Sequence, residues 1–308
     1  MEDRDQTPVL WPNLFIVGAA KAGTTTLFEY LRGHQQVFMS REKEPHYFSD
    51  VAGKRETLYY DQWINWITTE EEYLQLFDAA AGFRVVGEAS TSYLWAPGTP
   101  ERIKSKVPDA LIIVMLRDPV ERAFSHYLMD VRTGRQPLPF YDALIEDFSR
   151  ERKGWHISKL YVELGLYYQQ ILPYWQAFER KKLLVLTLDE MKDHPANTLR
   201  KVATFLNIDY EGFSITASSS VSNPYLAPTS SLQFVMNPPG IRELISKLSP
   251  LSLRASVRNR YFLRPAAKPA IDPKAVDFLS DIYSPELEAL EGLLRQELPG
   301  LKGDWWHD

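Results

Sequence analysis

The chain of 308 residues contains no cysteine. That absence excludes disulfide staples, thiolate metal ligands and a cysteine nucleophile together, and leaves stability to packing. Long apolar runs are missing too. Met1 to Gln6 is mostly charged, and the run from Leu14 to Ala20 falls far short of the roughly 20 residues that cross a bilayer. Neither a secretion signal nor a transmembrane segment is expected, and the cysteine-free composition makes the cytoplasm the expected compartment. Positive charge is not in excess: the net charge is −5, so long-range attraction of nucleic acid or a polyanionic polysaccharide is not expected. Internal repeats, low-complexity tracts and a linker that would cut the chain in two are likewise absent. What is present, 44% hydrophobic and 24% charged residues, is ordinary globular composition. The reading is an extension over 1–12 followed by a single domain over 13–308.

Apolar runs and helical spacing alternate along the chain. Leu14 to Val17 reads as a strand ending at Gly18, and Thr24 to Leu31 as a helix with Leu27, Tyr30 and Leu31 on one face. Further strands are expected over Phe83–Val86, over the uniformly apolar Ala110–Leu116 and over Leu183–Leu188. Helices are expected over Pro100–Lys106, Val120–Thr133, Leu160–Phe178 with an interruption near Pro173, Ala196–Leu206 and Ser284–Leu298. This alternation predicts an α/β fold of three layers, a central parallel sheet flanked by helices, of the P-loop-like kind. Residues 210–240, rich in serine, proline and asparagine, read as an ordered excursion or a mobile flap. The aromatic stretch Tyr59 to Trp66 reads as core.

Between the first strand and its helix lies Gly18-Ala19-Ala20-Lys21-Ala22-Gly23-Thr24-Thr25-Thr26, where backbone N–H groups and the positive helix end can hold an anion. Gly18 and Gly23 have the spacing of a nucleoside-triphosphatase loop, G-x-x-x-x-G-K-[ST], yet Thr24 stands where the lysine belongs. The loop's one lysine is Lys21, which puts its charge beside the 5′ end of a nucleotide. The threonine hydroxyls then supply hydrogen bonds without calling for a magnesium ion. A second element, Leu116-Arg117-Asp118-Pro119-Val120-Glu121-Arg122-Ala123-Phe124-Ser125-His126-Tyr127, follows the strongest strand. Arg117 there leaves the carboxyl end of a parallel strand, where ligands of open sheets bind, and its planar fork suits a phosphate. Ser125 lies on the following helix, Arg122 reads as structural, and His126 as a packing or surface residue.

The first segment resembles the 5′-phosphosulfate loop of sulfotransferases that use 3′-phosphoadenosine-5′-phosphosulfate (PAPS), and the second resembles that family's R-[DE]-P-x-x-R-A-x-S-x-Y element. The resemblance implies that Lys21, Ala22, Gly23, Thr24, Thr25 and Thr26 hold the 5′ end of PAPS, or of the product PAP, and that Arg117 and Ser125 hold the 3′-phosphate. Glu42-Lys43-Glu44-Pro45-His46-Tyr47-Phe48-Ser49-Asp50 is similar to the E-x-H-[FY]-F segment of the heparan sulfate and Golgi-type branch. It implies that Glu44 is the general base and that His46 orients the acceptor or shares its proton. Lys21 would stabilise the sulfonate and the bridging oxygen, as in-line transfer requires of a cation opposite the base. The likeness continues through Gly87 to Tyr93, through Gly165-Leu166-Tyr167, which adds Tyr167 to the donor-binding residues, and through Leu183 to Leu206. The basic stretch before Ile271-Asp272-Pro273 resembles the loop that closes over the 3′-phosphate and implies roles for Arg264 and Lys268. Read without the resemblance, the basic run from Arg254 to Lys268 is a solvated loop.

One position departs from the pattern. Glycosaminoglycan-modifying members carry a lysine after the glutamate in E-K-S, and this chain has Ala89 there. With the acidic net charge, this argues against heparan sulfate as acceptor and for a small molecule, lipid, sugar or carrier-bound metabolite, sulfonated on a hydroxyl or an amine. No metal is expected. The rivals are a P-loop kinase or ATPase, which would need a magnesium ion and a lysine at position 24, and a non-catalytic module that binds PAP. The oligomeric state is open.

Overall fold

The computed structural model describes residues 10–49, 67–155, 158–214, 225–228, 263–295 and 298–303. Its centre is a parallel sheet of five strands: β1 (Leu14–Gly18), β2 (Val37–Met39), β3 (Val85–Ala89), β4 (Leu111–Leu116) and β5 (Leu183–Thr187), in the order β2-β3-β1-β4-β5. Leu14 pairs with Gly87 on one side and Leu111 on the other, and Ile112 pairs with Leu183. The β1 residues and all of β4 after Leu111 are buried, as uniformly apolar strands in a doubly covered parallel sheet must be. Each such Ile or Leu side chain contributes about 1.5–3 kcal/mol on leaving water. Because β3 and β4 flank β1 on opposite sides, the strand order reverses at β1, and the crevice outside its carboxyl end is where open α/β sheets bind ligands.

Helices cover the sheet: α1 (Thr24–Arg32), α2 (Glu70–Gln75), α3 (Ser92–Trp95), α4 (Thr99–Lys106), α5 (Pro119–Arg132), α6 (Phe140–Phe148), α7 (Tyr167–Ala177), α8 (Leu188–Asp193), α9 (Pro195–Leu206) and α10 (Pro273–Leu294). A separate antiparallel ribbon joins β6 (Leu226–Pro228) to β7 (Leu263–Pro265). Local chemistry sets the ends. Asp118 caps α5 by accepting from the Glu121 N–H at 2.9 Å with Pro119 at the first helical position, and Thr187 and Glu190 form a reciprocal capping box on α8. No described helix is long and apolar enough to cross a membrane.

The α/β architecture with its central parallel sheet agrees with the sequence reading, and the differences have physical causes. The strand expected over Phe83–Val86 runs instead from Val85 to Ala89. Gly87 and Glu88 disguised its second half, which tolerates a carboxylate because three hydroxyls bind it. Strand β2 and helix α6 carried too short or too mixed a pattern to be foreseen. The helix expected from Leu160 begins only at Tyr167, after Leu160 adopts a left-handed φ of 55° and a 3₁₀ turn spans Glu163–Gly165. Pro173 does not interrupt it. The missing N–H removes one bond, while buried Ile171 and Tyr174 hold the helix, the Tyr174 hydroxyl donating to the Tyr93 carbonyl at 2.8 Å. The last helix starts at Pro273, not Ser284, and passes Pro285 because Ala275, Leu279, Tyr283, Leu287, Leu290 and Leu294 form one buried stripe. Most of the 210–240 segment, the Tyr59–Trp66 stretch and Arg254 lie outside the described residues.

Candidate active site

A cavity of about 450 Å³ opens at the carboxyl end of β1. Ala20, Lys21, Gly23, Thr24 and Thr25 of the phosphate loop line it together with Glu44, His46 and Thr91, with Ser125, His126, Met129 and Asp130 of α5, and with Arg135, Trp155, Ser158, Lys159, Leu160 and Leu164. The structure therefore brings together Lys21, Gly23, Thr24, Thr25, Ser125, Glu44 and His46 from three separate stretches of sequence. Ala22 is buried beneath the loop, and half-buried Thr26 turns its N–H to the Gly23 carbonyl at 3.0 Å.

The loop is shaped for an anion. Gly23, at φ 90°, begins α1 and supplies no side-chain cap, so the first turn of a nine-residue helix presents its N–H groups at the cavity edge without a resident acceptor side chain. Lys21 sits at φ 70°, its ammonium 3.7 Å from the Met129 sulfur. Burial, and then the charges of Arg132, Arg117 and Arg122, hold its pKa below the ordinary lysine value, with Glu44 acting the other way. A cation depressed by neighbouring cations gains most from an anionic ligand.

Arg117 follows β4 directly. One guanidinium nitrogen approaches the Lys21 carbonyl at 3.5 Å and another binds Glu121 Oε2 at 2.8 Å. Glu121 Oε2 also receives the Lys268 ammonium at 2.5 Å. Burial would raise the Glu121 carboxyl, but Lys268 and Arg117 outweigh it and hold it below the usual range. Glu121 and Ser125 lie four residues apart on one face of α5, and Arg117, two residues before the helix, reaches back to Glu121. Tyr167 is fully buried and donates to the Arg117 carbonyl at 2.8 Å, so its contact here is with the backbone that carries the arginine. Arg264 is exposed on β7, paired in register with Ala227, whereas Lys268 reaches α5. Arg122, read as structural, is completely buried and donates to the Tyr161 carbonyl. His126 packs edge-on against Tyr161 at 5.2 Å.

The segment carrying Glu44 and His46 is tied to β3 and to the residues that follow it. Ser40 N–H donates to Gly87 O at 2.8 Å, Glu44 N–H to Ala89 O at 2.9 Å, His46 N–H to Ser90 Oγ at 3.1 Å and Phe48 N–H to Tyr93 Oη at 3.2 Å. Glu44 and His46 both adopt left-handed backbone, φ 62° and 58°, at about 1–2 kcal/mol each for residues with a Cβ. Glu44 Oε1 accepts from Lys43 at 2.7 Å and from Thr91 Oγ1 at 3.3 Å. Burial works to raise its pKa, but Lys43, His46 and Thr91 together leave it below the ordinary value, so the group is a carboxylate at neutral pH. His46 Nε2 lies 3.6 Å from Glu44 Oε2. Burial, with Lys43 adding and Glu44 opposing, pushes its pKa down to about 4, so the ring is neutral.

His46 Nδ1 lies 2.6 Å from Ser92 Oγ, Ser92 Oγ lies 3.0 Å from Ser49 Oγ, and Ser49 donates to the His46 carbonyl at 2.8 Å, so the ring and the two hydroxyls form one buried chain.

Sequence reasoning missed Lys43, Thr91 and Ser92 as partners of Glu44 and His46, and missed the cavity wall from Asp130 to Lys159. Ser90-Thr91-Ser92 just past a strand end was the available signal. Trp155 stands 6.1 Å from the His46 ring and 6.4 Å from Trp95.

Comparison with known proteins places this geometry. The chain is 28% identical to human carbohydrate sulfotransferase 15 over 64% of its own length and 44% of that protein, and 28% identical to mouse heparan sulfate glucosamine 3-O-sulfotransferase 3B1 over 64% of its length and 46% of that protein. It thus spans less than half the length of these curated relatives. Among solved structures, a sulfotransferase from Alicyclobacillus acidocaldarius superposes with a TM-score of 0.72 at 29% identity, covering 96% of this chain and all of the other. The family model described as "Sulfotransferase family" matches residues 12–212, a stretch that contains the phosphate loop, the Glu44 segment and the Arg117 element. The chain belongs to the Sulfotransferase family.

Proposed function

We propose that the protein transfers the sulfonate group of PAPS to a hydroxyl or amine of its acceptor by in-line displacement. The observation that carries this is the meeting of Lys21 and Glu44 in one cavity, a cation beside an anion-binding helix end together with a carboxylate. The donor supplies an activated sulfur; when the acceptor oxygen bonds to it, the bond from sulfur to the 5′-phosphate oxygen breaks. Glu44 takes the acceptor's proton, with the neutral His46 holding the acceptor or sharing that proton through Nε2. Lys21, Ala22, Gly23 and Thr24 to Thr26 bind the 5′ end, and Lys21 stabilises the charge that grows on the departing phosphate. Arg117 and Ser125 hold the 3′-phosphate, Tyr167 supports Arg117, and Lys268 and Arg264 close over that end. The scheme calls on no metal, since Lys21 and the helix end carry the charge of the donor.

The scheme assigns residues 13–308 to one catalytic domain. A sugar hydroxyl is the preferred acceptor: the relatives named above carry carbohydrate acceptors in their names, and Trp155 offers a ring face beside His46. Ala89, in place of the lysine of glycosaminoglycan-modifying members, speaks against heparan sulfate itself.

Thermal unfolding with PAP, with Mg-ATP and with neither tests the donor. A ligand at about 100 times its dissociation constant stabilises by about 2.7 kcal/mol. PAP should raise Tm in the wild type and not in Arg117→Ala. A rise with Mg-ATP and none with PAP would replace this reading with a kinase or ATPase. PAP binding with no transfer to any acceptor tried would favour a binding module.

A further inference from the structure

Glu88 lies at the carboxyl end of β3, fully buried, and takes no part in the scheme above. Its Oε1 accepts from the hydroxyls of Tyr73 and Tyr93, each at 2.7 Å, and its Oε2 accepts from Ser90 Oγ at 2.7 Å. Two of those three hydroxyls lead to the catalytic segment. Ser90 Oγ is the acceptor for the His46 N–H, and Tyr93 Oη is the acceptor for the Phe48 N–H. A hydroxyl has one proton. Once Glu88 has drawn the protons of Ser90 and Tyr93 toward itself, their lone pairs must face the other way, where the two N–H groups wait. Tyr73 Oη binds the same carboxylate but leads to neither.

We propose that Glu88 is the positioning residue of the catalytic segment: its carboxylate fixes the direction of the Ser90 and Tyr93 hydroxyls, and these hold His46 and Phe48 so that Glu44 and His46 keep their left-handed backbone at the cavity. The proposal rests on the reading of Glu44 as base. Burial raises the Glu88 pKa to about 7 against the pull of three hydrogen bonds, so the readouts below are taken above pH 7, where the group is ionised. A neutral amide could not do the same work. Glutamine would present its NH₂ to Ser90, turn that hydroxyl's proton toward the His46 N–H, and set donor against donor.

Three variants separate positioning from plain stability. Glu88→Gln and Ser90→Ala break the path to His46, while Tyr73→Phe removes an equal hydrogen bond that leads nowhere in the site. Three readouts apply to each: PAP dissociation constant, PAP release from PAPS with water as the acceptor, and hydrogen exchange of the His46 amide by NMR. Glu88→Gln and Ser90→Ala should slow PAP release by about tenfold or more, with PAP affinity held within about twofold, and should speed His46 amide exchange by about tenfold. Tyr73→Phe should lower Tm and change neither. Wild-type turnover and exchange in Glu88→Gln and Ser90→Ala, or an equal loss in Tyr73→Phe, would overturn the proposal. If the wild type does not bind PAP, the donor reading falls, and the His46 amide exchange by itself still upholds or overturns the role of Glu88.

Discussion

The phosphate loop, residues 18–26, and the catalytic segment, residues 41–49, each follow a strand of the sheet, and each bends a side-chain-bearing residue into left-handed backbone: Lys21 in one, Glu44 and His46 in the other. They are held in different ways. The loop is shaped largely by its own neighbourhood, with β1 before it, α1 after it, and the Ala22 N–H closing onto Ala19 at 3.2 Å, and is anchored to β4 by the Ala19 N–H donating to the Met115 carbonyl at 2.6 Å. The segment is fixed from afar, by Ala89, Ser90, Thr91, Ser92 and Tyr93, which come more than 40 residues later in the chain. An anion site built from backbone N–H groups needs a local turn. A base that must meet its acceptor in one orientation needs packing that only the finished sheet supplies.

That contrast predicts different losses. Lys21→Ala should lower turnover by about 10³-fold, as removal of one transition-state donor does, and should weaken PAP binding with it. Glu44→Gln should lower turnover by about 10²- to 10⁴-fold while PAP affinity stays near wild type. Steady-state turnover beside calorimetric PAP titration reads both quantities. Equal weakening of PAP by the two variants would break the division into donor and acceptor halves.

The same division explains what was legible in the sequence. The loop could be read because its chemistry is contiguous: strand, Gly18, Lys21, Gly23 and three threonines. Arg117 could be read because it leaves the carboxyl end of the strongest strand, whereas Ser125 was singled out through the resemblance. Glu44 could be singled out only through a resemblance, since Arg41 to Glu44 alone is an ordinary charged loop. Its partners were hidden because nothing local ties Thr91 or Ser92 to position 44. Glu88 was hidden for a further reason. A carboxylate argues against a buried strand until the hydroxyls of Tyr73, Tyr93 and Ser90 are known to surround it, and so the strand was expected to end at Val86.

Acid titration sharpens the comparison inside the catalytic half. Glu88, facing the hydroxyls of Tyr73, Tyr93 and Ser90 and the Glu44 charge, goes from an ordinary 4.5 up to about 7. The folded state then binds the extra proton, so this group's stabilisation is complete below pH 4.5 and is lost as pH rises through 7. At about 1.4 kcal/mol for each pH unit between the two values, the change is about 3 kcal/mol. His46, facing Glu44 and Lys43, goes from 6.5 down to about 4, so its contribution is complete above pH 6.5 and is lost by a similar amount as pH falls to 4. In the wild type the two slopes oppose each other between about pH 4.5 and 6.5. Urea unfolding across this range should unmask them: relative to wild type, Glu88→Gln should gain stability with rising pH and His46→Asn should lose it. Parallel curves for wild type and both variants would mean that neither group titrates as its surroundings require.

The smallest effect compares the two ends of α1, and it asks whether the loop is as locally determined as argued above. Gly23, at φ 90°, starts the helix, and a Cβ there would stand 2.7 Å from Leu188 Cδ1. Gly33 ends the helix at φ −77°, and a Cβ there would make ordinary 3.6 Å contacts with the Glu29 and Tyr30 carbonyls. Gly23→Ala should therefore cost about 1–2 kcal/mol from the left-handed backbone, relieved in part if the flexible end of Leu188 shifts. Gly33→Ala should be neutral or stabilise by about 0.4–1 kcal/mol, through the smaller entropy of the unfolded chain. Calorimetric Tm values, taken with and without PAP, decide the matter. Gly23→Ala should also lose part of the PAP-induced rise, because the first-turn N–H groups no longer converge, whereas Gly33→Ala should keep all of it. If Gly23→Ala unfolds at the wild-type temperature and responds fully to PAP, the left-handed turn does not shape the anion site, and Lys21 and Arg117 must do so without it.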